Sequence, residues 1–189
     1  GGRPLNVREL LDIPANSKAG VSVEPARIEA SPEDAPSFSL NVTLIHGSLL
    51  LVDDCPAPQL HSGNYRKLLH NMVFALGLGK QAIENQPFHW PEAMKGHHDQ
   101  GAEVAGEALQ AYLARQVERG EVKYLLLMGA DANRYAINTD LPVGVLSRNE
   151  VYRLPVLSTL SASRMLQEPA LKRQLWQQLQ PLYQAITGR

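Results

Sequence analysis

The chain has 189 residues, 44% of them hydrophobic and 20% charged, with 18 basic against 19 acidic side chains. That suits one domain, or one domain and a tail, with enough apolar matter to fold without disulfide or metal staples. The net charge of -1 argues against duplex DNA as the main ligand, and the single cysteine, Cys55, excludes a disulfide framework, a four-thiolate iron–sulfur cluster and a Cys-rich zinc ribbon.

No run approaches 18 apolar residues and no charged stretch followed by an apolar one opens the chain, so no membrane span or secretion signal is expected. Together with one cysteine, this points to a reducing, cytoplasmic setting. Residues 1–36 hold Pro4, Pro14, Pro25, Pro32 and Pro36 with little apolar periodicity, and read as an extended leader. Within it Val7–Ile13 could form a short helix, whose Leu10, Leu11 and Ile13 suit a peptide that orders on a partner.

The folded part is expected over 37–189. Phe38, Leu40, Val42 and Leu44 alternate with Ser39, Asn41 and Thr43, the pattern of a half-buried strand. His46-Gly47 breaks it, and Ser48–Val52 follows as an apolar run, which makes a hairpin feeding a fully buried central strand. Tyr65–Leu76 has helical spacing and is closed by Gly77. Gln86–Gln100, rich in Pro, His and Trp, reads as a loop.

A second helix is predicted over Ala102–Arg119, a buried strand over Tyr124–Met128, and a helical turn over Ala132–Ile137. Val151–Leu157 reads as a third strand region. Pro169–Ile186 reads as a last helix with Leu171, Leu175, Leu179, Leu182 and Ile186 inward. Alternating strands and helices imply an α/β sheet covered on both faces.

Sites in open α/β sheets lie at the carboxyl ends of strands. Here those ends are Asp53-Asp54-Cys55-Pro56, Gly129-Ala130-Asp131 and Ser158–Ser163. Adjacent acids there can orient a water or bind a metal, or can cap the following helix. All six histidines lie between His46 and His98, and the His97-His98 pair lacks a second pair at zinc-ligand spacing, so no metal site is expected. Gly77-Leu78-Gly79-Lys80 lacks the length and the hydroxyl of a phosphate loop, and it ends a helix instead of starting one.

The segment Val156–Trp176 resembles the terminal motif of the uracil-DNA glycosylase superfamily. There a strand ends in Thr, an aromatic and His-Pro-Ser, followed by two leucines, an acid, Pro, Lys and Trp. Thr159, Ser163, Met165, Leu166, Glu168, Pro169, Lys172 and Trp176 fall on that pattern, while Ser161 and Ala162 stand where the family has His-Pro. Leu50–Pro56 is similar to the family's first motif, and Leu125–Ala132 to its middle strand, so the likeness runs in family order over residues 48–180.

The resemblance implies a three-layer αβα sandwich of uracil-DNA glycosylase type, with a mainly parallel central sheet and an N-terminal hairpin. It does not carry the enzyme with it. A departing uracil anion needs a donor that the family takes from its motif histidine, and Ser161 is only a neutral replacement. No Phe stands between Gln59 and Asn64, where the family has its stacking aromatic. Asp54, Ser161 and Ser163 are therefore vestigial pocket positions on this reading.

In layout the chain resembles most the psi subunits of bacterial DNA polymerase III clamp-loader complexes, a non-enzymatic branch with this fold. A leader precedes the hairpin Phe38–Val52, then an acid near a proline and a helix, and the chain closes with Glu168-Pro169 and Leu175-Trp176-Gln177-Gln178. In that family the N-terminal peptide binds the clamp loader, and the domain binds the chi subunit, which contacts single-strand binding protein. The resemblance implies those partners, no cofactor, and Leu10, Leu11 and Ile13 as anchors. An altered glycosylase using Asp54 as water-orienting acid and Ser161 or Ser163 as donor is the alternative, as is a catalytically silent DNA-binding relative.

Overall fold

A computed structural model describes residues 35–79, 81–91 and 101–188. The anchor positions Leu10, Leu11 and Ile13, and nearly all of the leader, lie outside the described residues.

Strand β1 (Phe38–Ile45) turns through Gly47, at φ 78°, into β2 (Leu49–Asp54), with Leu40 opposite Asp54 and Ile45 opposite Leu49. The hairpin is as expected, but β1 is not half-buried. A third strand, β3 (Ile83–Trp90), pairs with its other edge, so the 86–90 part of the supposed loop is strand and β1 lies inside the sheet. Pro87 is tolerated because β3 is an edge strand. Asn41 and Thr43 are consequently buried, and they bond to each other and to Asn85 of β3.

Helix α1 (Gly63–Ala75) starts where the Ser62 side chain accepts the Tyr65 N–H, an N-cap that sequence periodicity places two residues late. Helix α2 (Ala102–Gly120) leads to β4 (Tyr124–Met128), which passes through Gly129 directly into the short α3 (Ala130–Ala136). A short strand not anticipated from the sequence, β5 (Ser147–Asn149), pairs antiparallel with β6 (Leu154–Thr159). Residues 151–153 form the turn between them, so the third strand begins later than expected. Helix α4 (Lys172–Thr187) closes the fold with Leu175, Leu179 and Leu182 buried.

The six strands are ordered β3-β1-β2-β4-β6-β5. β2, β4 and β6 are parallel in the middle, with antiparallel pairs on both sides, so the sheet is mixed. Helices α2 and α3 cover one face, packing on Leu50, Val52, Leu125 and Leu127. Helices α1 and α4 cover the other, on Leu49, Leu51, Leu126 and Met128. Continuous apolar strands follow from this, because residues of both parities are buried.

Register puts Asp53 beside Met128 and Met128 beside Thr159, so the three parallel strands end level with one another. Gly129 leaves β4 at φ 101°, and a Cβ there would lie 2.6 Å from Asp54 Cγ and Oδ2. Gly129→Ala should therefore strain the backbone and push Asp54 off α3, costing more than about 2 kcal/mol in denaturant unfolding; a cost below about 0.5 kcal/mol would contradict this close approach.

Candidate functional site

Side chains alternate across β2, so its two terminal acids face opposite ways. Asp53 continues the Leu49–Leu51 face toward α1, and Asp54 continues the Leu50–Val52 face toward α3. Adjacent in sequence, they do not act as a pair.

Asp53 is fully buried. Its Oδ2 accepts from Tyr65 Oη at 2.7 Å and from the Ser163 N–H at 3.0 Å. Its Oδ1 accepts from the Ala162 N–H at 2.8 Å and from Ser161 Oγ at 2.9 Å. One carboxylate thus joins the end of β2, helix α1 and the segment after β6. Burial pushes the carboxyl up to about 7 against the pull of the Tyr65 and Ser161 hydroxyls and the Ala162 N–H, and the Asp54 charge adds to the rise. The Tyr65 phenol is raised by its own burial and by Asp53.

Asp54 meets the N-terminus of α3. Its Oδ2 accepts from the Asp131 N–H at 2.9 Å and its Oδ1 from the Ala132 N–H at 2.7 Å. A carboxylate at exposed helix N–H groups is favoured by both hydrogen bonding and the helix dipole. Burial nevertheless raises it to about 6, with those N–H groups opposing and the Asp131 charge assisting. Of the two roles open to these acids in the sequence, Asp54 takes the capping one.

The serines are also engaged. Ser163 Oγ donates to the Asp54 carbonyl at 2.6 Å, and Ser161 Oγ donates to Asp53 while sitting 3.0 Å from Ser163 Oγ. Each hydroxyl has one proton, and each proton has an acceptor inside the protein. Cys55 is buried beside them, its thiol pushed up to about 11 by burial and by Asp53. Asp54, Ser161 and Ser163 are therefore brought together at one end of the sheet, as a bonded framework.

Beside this framework a cleft of about 850 Å³ opens, lined by Asp54, Asn133, Arg134, Leu160, Ser161 and Arg164 among others. Among the described residues no histidine lines it; His46 lies at the far end of the sheet, against Glu84. Among the described residues no three His, Cys, Asp or Glu side chains are grouped to hold a metal ion. Sequence reading named Asp53 only as one of two adjacent strand-end acids, without its buried role, and missed Tyr65, Arg134 and Arg164. For Asp53 the period-2 pattern of β2 carries the signal, since it points the residue into the α1 layer. For the arginines nothing in the linear sequence marks the cleft.

No family model matches the chain, and comparison with curated proteins and with solved structures returns no match.

Two outcomes follow from Asp53. Asp53→Ala leaves the Tyr65 hydroxyl and the Ala162 and Ser163 N–H groups without an acceptor, Ser161 Oγ keeping the Asp54 carbonyl at 2.9 Å, and should cost about 3–5 kcal/mol, whereas Tyr65→Phe removes one donor and should cost about 1 kcal/mol. Equal costs for both would contradict the hub. Because Asp53 and Asp54 sit at about 7 and about 6, above their ordinary 3.8, the native state holds protons more tightly than the unfolded chain. Their stabilisation is full below about pH 4 and is lost as pH rises through 6–7, at up to about 1.4 kcal/mol per pH unit per group. Thermal unfolding from pH 5 to 8 should show the melting temperature falling, with a rising one as the contrary result.

Proposed function

We propose that this chain is a psi-like, non-catalytic accessory subunit of the bacterial DNA replication machinery, on a uracil-DNA glycosylase-type fold. Its domain would bind the chi subunit, with single-strand binding protein reached through chi. Its leader would carry Leu10, Leu11 and Ile13 to the clamp loader. The setting is cytoplasmic; among the described residues no helix is long and apolar enough to cross a membrane.

The observation that carries this reading is the use made of the pocket's polar groups. A general base must present an oxygen to the water it orients. Here both Asp54 oxygens are tied to α3, and both serine protons are tied to Asp53 and Asp54. A leaving-group donor must be free to meet the developing anion, and Ser161 is held by a buried carboxylate that would repel one. The hairpin β1–β2 leading into an acid, a proline and a helix supports the psi-like layout over the glycosylase one.

The test uses the full chain with purified clamp-loader and chi subunits. Replacing Leu10, Leu11 and Ile13 together by Ala should weaken clamp-loader binding by more than about 1 kcal/mol in calorimetry, with chi binding unchanged. Wild-type affinity in that variant would sink the leader assignment. Incubated with uracil-containing oligonucleotides and then alkali, the protein should yield no strand breaks. Cleavage that disappears in Asp54→Asn would establish the glycosylase instead. Salt-dependent binding to single strands without cleavage or subunit binding would establish a silent DNA-binding relative.

A further inference from the structure

Charge is not spread evenly over the fold. Helix α2 carries Glu103, Glu107 and Glu118 among Arg115 and Arg119, so the face it covers holds both signs. Helices α1 and α4, which cover the other face, contain no Asp or Glu, and their Arg66, Lys67, Lys172 and Arg173 are all exposed. Among the described residues none of these four is in an ion pair. Glu168, the one acid between Leu160 and Gly188, is held by Arg164 at 2.6 Å. Both pairs of cations stand at the start of their helix, where the helix dipole disfavours positive charge. Helix stability does not explain the placement.

The same face exposes rings. Phe74 on α1 is 60% exposed and Trp176 on α4 is 37% exposed, its ring tilted against Tyr183 with centroids 5.7 Å apart. Tyr65 reaches Asp53 at the end of β2, and Gln178 accepts the Leu160 N–H just past β6. The ends of β2 and β6 are level, so Tyr65 and Gln178 mark the same height on α1 and α4. The far ends of the two helices meet, since a Cβ on Gly77 would lie 3.1 Å from Thr187 Cγ2. Down the face the order is therefore Arg173, Trp176, Lys67, then Tyr183 and Phe74, over about 20 Å. None of these side chains lines the cleft at the strand ends.

We propose that the outer face of α1 and α4 binds single-stranded nucleic acid, with phosphates on Arg66, Lys67, Lys172 and Arg173 and bases stacked on Trp176 and Phe74. Cations interleaved with rings suit that ligand, because every base has a face to stack and every nucleotide a charge to neutralise. Cations alone would suit an acidic protein segment equally well. The exposed rings, beside the amides of Asn71, Gln177 and Gln180 that can bond base edges, favour nucleic acid. A duplex hides its base faces, so the surface prefers single strands. The balanced overall charge is no obstacle, since acids lie elsewhere, on α2 and at the cleft with Asp131 and Asp140. This inference stands apart from the subunit reading: its test contains neither clamp-loader nor chi subunits, and either can fail without the other.

The test is the anisotropy of a labelled oligothymidylate titrated with the full chain at several salt concentrations. Four neutralised phosphates predict a slope of log affinity against log salt of about −2.8, at about −0.7 each. Lys67→Ala combined with Arg173→Ala should halve that slope, while Arg115→Ala on α2 leaves it unchanged. Of the two tryptophans Trp90 is buried, so quenching of tryptophan emission on binding reports Trp176. Trp176→Ala should weaken binding about five-fold or more, and Trp176→Phe should keep most of the affinity. Unchanged circular dichroism shows that the variants fold. Absence of binding at low salt, a slope indifferent to the two cations, or full affinity in Trp176→Ala would overturn the proposal. So would equal affinity for the duplex with oligoadenylate, or polyglutamate binding as tightly as the oligonucleotide, which would assign the face to an acidic protein segment.

Discussion

A carboxylate with no water around it is tolerated only where donors replace the water, and Asp53 has four of them. Two are hydroxyls and two are backbone N–H groups, so the site gathers dipoles instead of a counter-charge. That choice has a structural consequence. A lysine or arginine partner would satisfy Asp53 from one direction, whereas four separate dipoles tie it to α1 and to three consecutive residues after β6. The segment Ser161–Ser163 owes its course to this one group.

Asp54 works on the opposite face of the same strand. Its carboxylate fills the N-terminus of α3, the place at which a helix in an α/β fold would otherwise receive an anionic ligand. Gly129 permits this, because its missing side chain and positive φ let β4 run into α3 against Asp54. The two acids thus convert a strand-end position, where a ligand and its catalytic groups usually meet, into internal scaffolding. The cleft beside them keeps its volume, while Asp54 and Ser161 on its wall are hydrogen-bonded within the fold.

Much of the sheet could be read directly, and for a physical reason. Leu50–Val52 and Leu125–Met128 are apolar on every residue, which only a doubly covered strand explains. The inward stripe of α4 was equally plain, with Leu175, Leu179 and Leu182 at helical spacing. β3 was hidden because Glu84, Asn85, Gln86 and Pro87 carry the polarity of an exposed edge, and polarity with proline is also the signature of a loop. Its absence from the reading left Asn41 and Thr43 on an imagined solvent face. At the site, the positions Asp54, Ser161 and Ser163 were found by motif, while the role of Asp53 depended on which face of β2 it occupies. Long-range partners such as Tyr65 and Ala162 have no local signal at all.

The claim on which this account turns is that the Asp53 carboxyl is buried and bound by the Ser161–Ser163 segment. Carboxyl carbon-13 chemical shifts of Asp53, followed against pH together with the Ala162 and Ser163 amide shifts, test it most directly. The account predicts one common midpoint raised to about 7, with the amides moving as the carboxyl loses its charge. A carboxyl titrating at the ordinary 3.8, with both amides indifferent to it, would contradict it.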